Sequence, residues 1–143
     1  MRIKQRDRGA IAVEVVLLVP ILVLVLGMIV AGWRVWAARQ GVEAASQAAA
    51  RSASLQSSGA RAAEMAEIVA STNLETLRVP CISSATSVNV DDFALPAGTV
   101  GHVEVEVTCR VTFSDLLLPG TPGSMTVKAR AIERLDTFAE RQP

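Results

Sequence analysis

The chain has 143 residues, half of them hydrophobic but only 3% aromatic, with no Tyr at all. Its 14 basic residues are balanced by 14 acidic ones, so no net field attracts nucleic acid, and few rings are left for stacking on single strands. With the apolar N-terminal segment set aside, about 105 residues remain, enough for one small domain with a modest core.

Residues 1–9, MRIKQRDRG, carry Arg2, Lys4, Arg6 and Arg8 against Asp7 alone. From Ala10 to Trp33 the one ionisable residue is Glu14. At 1.5 Å per residue this segment reaches about 35 Å, enough to cross a hydrocarbon core of about 30 Å with some tilt. A membrane-spanning helix is predicted over residues 10–36. The basic flank keeps the N-terminus cytoplasmic and sends residues 37–143 outward as a small extracytoplasmic domain, anchored once in the cytoplasmic (inner) membrane. The competing reading is a secretory signal peptide. Its apolar region is usually shorter and no good A-x-A site follows, but Ala31 and Ala38 keep that alternative open.

Within the span, Glu14 lies about one turn inside the apolar boundary. A carboxylate there costs up to about 3 kcal/mol at mid-bilayer, less near an end, and calls for a partner. Pro20 removes a backbone donor and is expected to kink or loosen the helix. Gly27 and Ala31 form a small-xxx-small pair suited to close approach of a second apolar helix, although membrane helices also tolerate Gly and Pro without such a role. Trp33 and Trp36, three apart, share a face and mark an aromatic belt at the outer interface.

The helical pattern continues past the belt. Residues 35–56 are rich in helix formers, with Gly41 the weak point. Val42, Ala45, Ala49 and Ala53 form a narrow stripe, opposite Arg39, Glu43, Gln47 and Arg51. One rod from Ala10 to about Gln56 is predicted, roughly 70 Å long. Ser57-Ser58-Gly59 signals a turn, and a second helix is expected from Ala60 to Leu77, with Ala62, Met65, Ala66 and Val69 on one face. Pro80 stops it.

From Thr86 the period changes to two. Val88 and Val90 alternate with polar residues before a turn at Asp91-Asp92. Val103, Val105, Val107, Cys109, Val111 and Phe113 then alternate with His102, Glu104, Glu106, Thr108, Arg110 and Thr112, the clearest strand in the chain. After a loop from Ser114 to Gly123, a third strand runs from Met125 to Arg134 with Met125, Val127, Ala129 and Ala131 on one side. The fold class is α+β: a long helix, a second helix, and a small antiparallel sheet with the Val88 strand at an edge. The tail after Leu135 is short and charged and expected to fray. Cys81 and Cys109, both on the outward side, fit a disulfide in an oxidising compartment, worth about 3 to 4 kcal/mol by loop closure; two buried thiols are the alternative.

Little points to catalysis. His102, the one histidine, falls on a polar strand face where a solvated side chain is the ordinary role. Glu104 and Glu106 share that face without a nucleophile, an oxyanion loop or a phosphate-cradling glycine motif. Leu116-Leu117-Leu118 serves equally well as a contact patch or as a cap on the sheet. The chain is read as no enzyme, with no cofactor, no metal site and no nucleic-acid partner.

Arg8-Gly9, Glu14 five residues beyond the Gly, Pro20 and Gly27, within RGAIAVEVVLLVPILVLVLG, resemble the leader and helix of type IV pilin-like proteins. The nearest likeness is to TadE-like minor pilins or pseudopilins of the Tad (Flp, tight adherence) pilus system. CISSATSVNV, the stretch from Val103 to Ala131 and the closing LDTF are loosely similar to their soluble parts. Val15 departs from the pattern, since these families carry Phe or Tyr after the Glu. The resemblance implies a pilin-like fold, a leader over residues 1–9, cleavage between Gly9 and Ala10 by a prepilin peptidase, and an assembly role for Glu14, which would neutralise the new terminal amine of a neighbouring subunit. Implied partners are other pilins, that peptidase, pilus assembly platform proteins and membrane lipid. The implied function is pilus biogenesis, adhesion or secretion from the cell surface after assembly. The alternatives are a single-pass surface protein with a small binding domain and a domain released by signal peptidase.

Overall fold

A computed structural model describes residues 6–96, 98–112 and 123–136, with side chains from residue 14 onward. Phe113, the loop with its Leu triplet at 116–118, and the tail from residue 137 lie outside the described residues. The elements are α1 (Arg6–Ser54), α2 (Gly59–Thr76), β1 (Cys81–Asn89), a 3-10 turn (Asp91–Ala94), β2 (His102–Thr112) and β3 (Ser124–Arg134). The predicted α+β order holds.

The rod α1 has 49 residues and is unbroken through Pro20, a length of about 73 Å. It is already helical at Arg6, the first described residue, ahead of the expected start at Ala10, because no breaker stronger than Gly9 lies between them. It ends at Ser54, where Gln56 N–H turns back to the Ala53 carbonyl at 3.1 Å. The Ala stripe is buried as expected and is broader than the sequence pattern indicated. Ala38, Gly41, Val42, Ala45, Ser46, Ala49, Ala50 and Ala53 are all inside. Ser46 remains satisfied there by donating to the Glu43 carbonyl at 2.9 Å.

Small residues on both partners let α2 lie close against α1. Ser58 caps α2 by accepting from the Arg61 N–H. The buried row on α2 is Ala62, Ala66, Ala70 and Leu74, whereas Met65 is exposed and Val69 half-buried. Of the expected face, Ala62 and Ala66 are thus inside while Met65 and Val69 are turned away from the centre of the contact, since backbones this close admit only small side chains between them. The helix closes at Leu77, and Arg78 then adopts φ 51°, with Val79 N–H reaching the Leu74 carbonyl at 3.0 Å.

The sheet order is β1-β2-β3, antiparallel throughout, with β1 at an edge. Val103, Val105, Val107, Cys109 and Val111 of β2 are at most 1% exposed and face the helices. Beside them lie Val127, Met125, Ala129 and Ala131 of β3. Helix α1 packs on β2 and β3, and α2 packs on β1, making a two-layer core. β1 begins at Cys81, earlier than its alternation at Val88 indicated. A register shift between Cys81 and Ser83 leaves Ile82 exposed and keeps Cys81 over the core. Val90 lies just past the strand and, with Phe93 of the 3-10 turn, plugs the end of the core.

Candidate membrane anchor and assembly segment

Val15 through Val30 place their bulky aliphatic side chains outward, all at least 45% exposed among those measured. None of the most apolar stretch of α1 is buried, and it is long and apolar enough to cross a membrane. Such a surface is incompatible with water over so many turns and fits a hydrocarbon surround. Glu14, exposed at the head of this surface, is the one ionisable residue between Arg8 and Arg34. Gly9 and Ala10 sit within the first helical turns of α1. Glu14 and the Gly9–Ala10 bond are thus brought within two turns of each other, as five-residue spacing on a helix requires.

At the other end of the span, Trp33 and Trp36 meet with ring centroids 5.2 Å apart, both exposed, forming the expected aromatic collar. Immediately beyond, Gly41 receives the Val79 side chain; a Cβ at 41 would overlap the Val79 Cγ2 methyl. Gly41, read from sequence as the weak point of the rod, is where the α2–β1 connection docks on α1. Between them lies a cleft of about 330 Å³ lined by Trp33, Arg34, Arg78 and Thr112, among others. No local signal in the sequence pairs these positions.

The domain beneath the collar is tied by a Cys81–Cys109 disulfide, S–S 2.03 Å, across a separation of 28 residues. It joins β1 to the buried face of β2, so the alternative of two free thiols is excluded. The outer face of the sheet carries the acidic residues that sequence reasoning weighed for chemistry. Arg130 bridges Glu104 at 3.0 Å and Glu106 at 3.3 Å, and Lys128 meets Glu106 at 3.1 Å. Hydrogen bonds from Lys128 and then Arg130 hold the Glu106 carboxyl below the usual carboxylate range. The two carboxylates are therefore engaged by cations across β2 and β3, an ordinary ladder of opposite charges. His102 is half-exposed; its backbone N–H donates to Asp92 at 2.8 Å and its ring lies 3.9 Å from the same carboxylate. Among the described residues, no three His, Cys, Asp or Glu side chains gather as a metal site would require.

An α+β protein with a disulfide-tied domain and one helix long and apolar enough to cross a membrane is the class these features define among the described residues. The model of the TadE-like protein family matches residues 9–51, and over that stretch the chain is TadE-like. The match takes in Gly9, Ala10, Glu14, the whole apolar run and the Ala stripe as far as Arg51, and ends before the segments whose similarity to TadE proteins was looser. No curated protein and no solved structure matches the chain.

Proposed function

We propose that the chain is a structural minor pilin or pseudopilin of a Tad-type pilus, assembled through the N-terminal part of α1. The observation that carries this reading is the family match over residues 9–51 coinciding with one carboxylate, Glu14, on an otherwise apolar exposed helix. In this proposal a prepilin peptidase cuts after Gly9, and Ala10 acquires an α-amino group largely charged at neutral pH. Glu14 of one subunit pairs with that amine on a neighbour, and only one axial stagger brings the two charges together, so the ion pair sets the register. The outer domain is displayed on the extracytoplasmic side, where it supports pilus biogenesis, adhesion or secretion. Its partners are other pilins, the peptidase and the assembly platform, and its role is structural rather than catalytic.

Intact mass of the chain recovered from the membrane, together with incorporation of Glu14→Gln, tests the proposal. Loss of residues 1–9 and failure of E14Q to enter assemblies, with normal membrane levels, is the expected result. Retention of Met1 in the working form, or normal incorporation of E14Q, favours a single-pass surface protein instead.

A further inference from the structure

We propose that the cleft at the base of the outer domain binds the phosphate of an anionic phospholipid headgroup, in the leaflet that Trp33 reaches. The inference rests on the membrane-spanning reading of α1, and the test below separates the two.

Three elements converge on this cleft: α1 through Trp33, Arg34 and Ala37, the α2–β1 connection through Arg78 and Val79, and the end of β2 through Thr112. It opens where the exposed aliphatic surface of α1 stops and the buried Ala stripe begins, which is the depth of a headgroup if the helix spans. Among the described residues its cations are Arg34 and Arg78, whose planar guanidinium groups carry several forked donors of the geometry that matches phosphate oxygens. The chain as a whole is charge-balanced, so a preference for an anion would have to arise locally, at these two arginines.

The backbone supplies an independent observation. Arg78 holds φ at 51°, the left-handed region where a helix usually terminates on Gly and where an L side chain is disfavoured. A glycine would close α2 there with less strain, yet an arginine lines the cleft instead. Strain kept at one position marks a side chain with a task. The apolar wall on α1 is Trp33 and Ala37, and the outward aliphatic face of the helix continues from it toward the N-terminus, along which acyl chains can run. A free inorganic anion would leave that apolar wall unused, whereas a phospholipid occupies both parts.

Trp33 and Trp36 are the two tryptophans of the chain, so tryptophan fluorescence reports this collar alone. The full chain is reconstituted in phosphatidylcholine nanodiscs carrying a minor fraction of either dibrominated phosphatidylglycerol or dibrominated phosphatidylcholine. We expect the phosphatidylglycerol to quench as though enriched about fivefold over its mole fraction, the scale set by one basic residue at an anionic surface. Arg34→Gln with Arg78→Gln should bring that enrichment to unity, and Arg78→Lys should keep most of it. Arg78→Gly should reduce it while leaving the domain's thermal midpoint equal or higher, which excludes loss through misfolding. Quenching by the brominated phosphatidylcholine but no preference for phosphatidylglycerol, or a preference that survives the double substitution, overturns the lipid site and leaves the span intact. A preference abolished by inorganic phosphate, but not by chloride at equal ionic strength, marks a free-anion site and overturns the lipid assignment. Absence of quenching by either lipid overturns the span and the site together.

Discussion

Helix α1 is one continuous element in two environments, and its halves invert the usual rule of what lies inside. From Val15 to Val30 the side chains are Val, Leu, Ile and Met, and they point outward. From Ala38 to Ala53 the side chains on the face toward α2 and the sheet are mostly Ala, and these are buried. In a water-soluble domain the large apolar groups would take the core, since each buried CH2 is worth about 0.8 kcal/mol. Here the large groups face the surround and the small ones face α2 and the sheet. The surface of the N-terminal half therefore suits a surround of lipid or of other apolar helices, whereas the C-terminal half gains its stability from closeness of backbones. The same helical geometry serves both because only side-chain volume changes along it.

The largest expected effect separates the domain from the anchor. Replacing both cysteines, Cys81→Ser with Cys109→Ser, opens a loop spanning 28 residues, and should cost the outer domain about 3.5 kcal/mol in the chain-entropy account. That corresponds to a thermal midpoint lower by roughly 15–25 °C for a domain of this size. Helix content of the chain in detergent below that transition should hold, because the span does not depend on the sheet. A loss of span helicity along with the domain would join the two halves into one cooperative unit.

Two glycines on α1 sharpen the contrast. At Gly32 a Cβ meets nothing within 4 Å, while at Gly41 it collides with Val79. Gly32→Ala should leave the domain's midpoint unchanged and stabilise the helix by about 0.5–1 kcal/mol. Gly41→Ala gains the same propensity but forces apart a packed contact, for a net loss of about 1–2 kcal/mol. Equal melting curves for the two variants would mean that α1 is not divided near residue 38 as the burial pattern indicates.

The smallest effect lies on the outer face of the sheet. Glu106→Gln removes the acceptor for Lys128 and Arg130, both well exposed, and should lower the midpoint least of all and not at all in 1 M salt. The sign with pH follows from the depressed carboxyl. The folded-state value lies below the unfolded value of about 4.3, so the contribution is present above that pH and lost as pH falls through the folded value. The parent and E106Q should therefore converge in acid. A difference that grows as pH falls would show that the ladder of charges is not what lowers this carboxyl.

Much of this molecule is legible in local pattern. Seventy-odd ångströms of helix followed from an apolar run and a helix-forming stretch with no breaker able to end it. The β2 strand followed from its strict alternation, and the Ala stripe from its period. The likeness of the segment holding Gly9, Ala10 and Glu14 to TadE-like proteins was legible because an ionisable residue in an apolar run has few ordinary explanations. What was misread involves choices between faces of similar hydrophobicity. On α2, Ala62 and Ala66 were placed inside as found, but Met65 and Val69 were grouped with them in place of Ala70 and Leu74, and nothing local states that size would decide. β1 was read short because CISSAT lacks alternation; its first half is held by pairing with β2, a bulge and the disulfide.

Composition and periodicity along the chain thus determined the span, the two helices, the central strand and the position of the lone carboxylate, because each is set by neighbours within a few residues. Tertiary structure alone decided which face of α2 is buried, why Gly41 is a glycine, and that Arg34 and Arg78 share a cleft, positions more than 40 residues apart in sequence. The physical reason is that close packing is a property of pairs of surfaces. The volume allowed at one position is fixed by what stands opposite, and that partner is chosen only when the chain has folded.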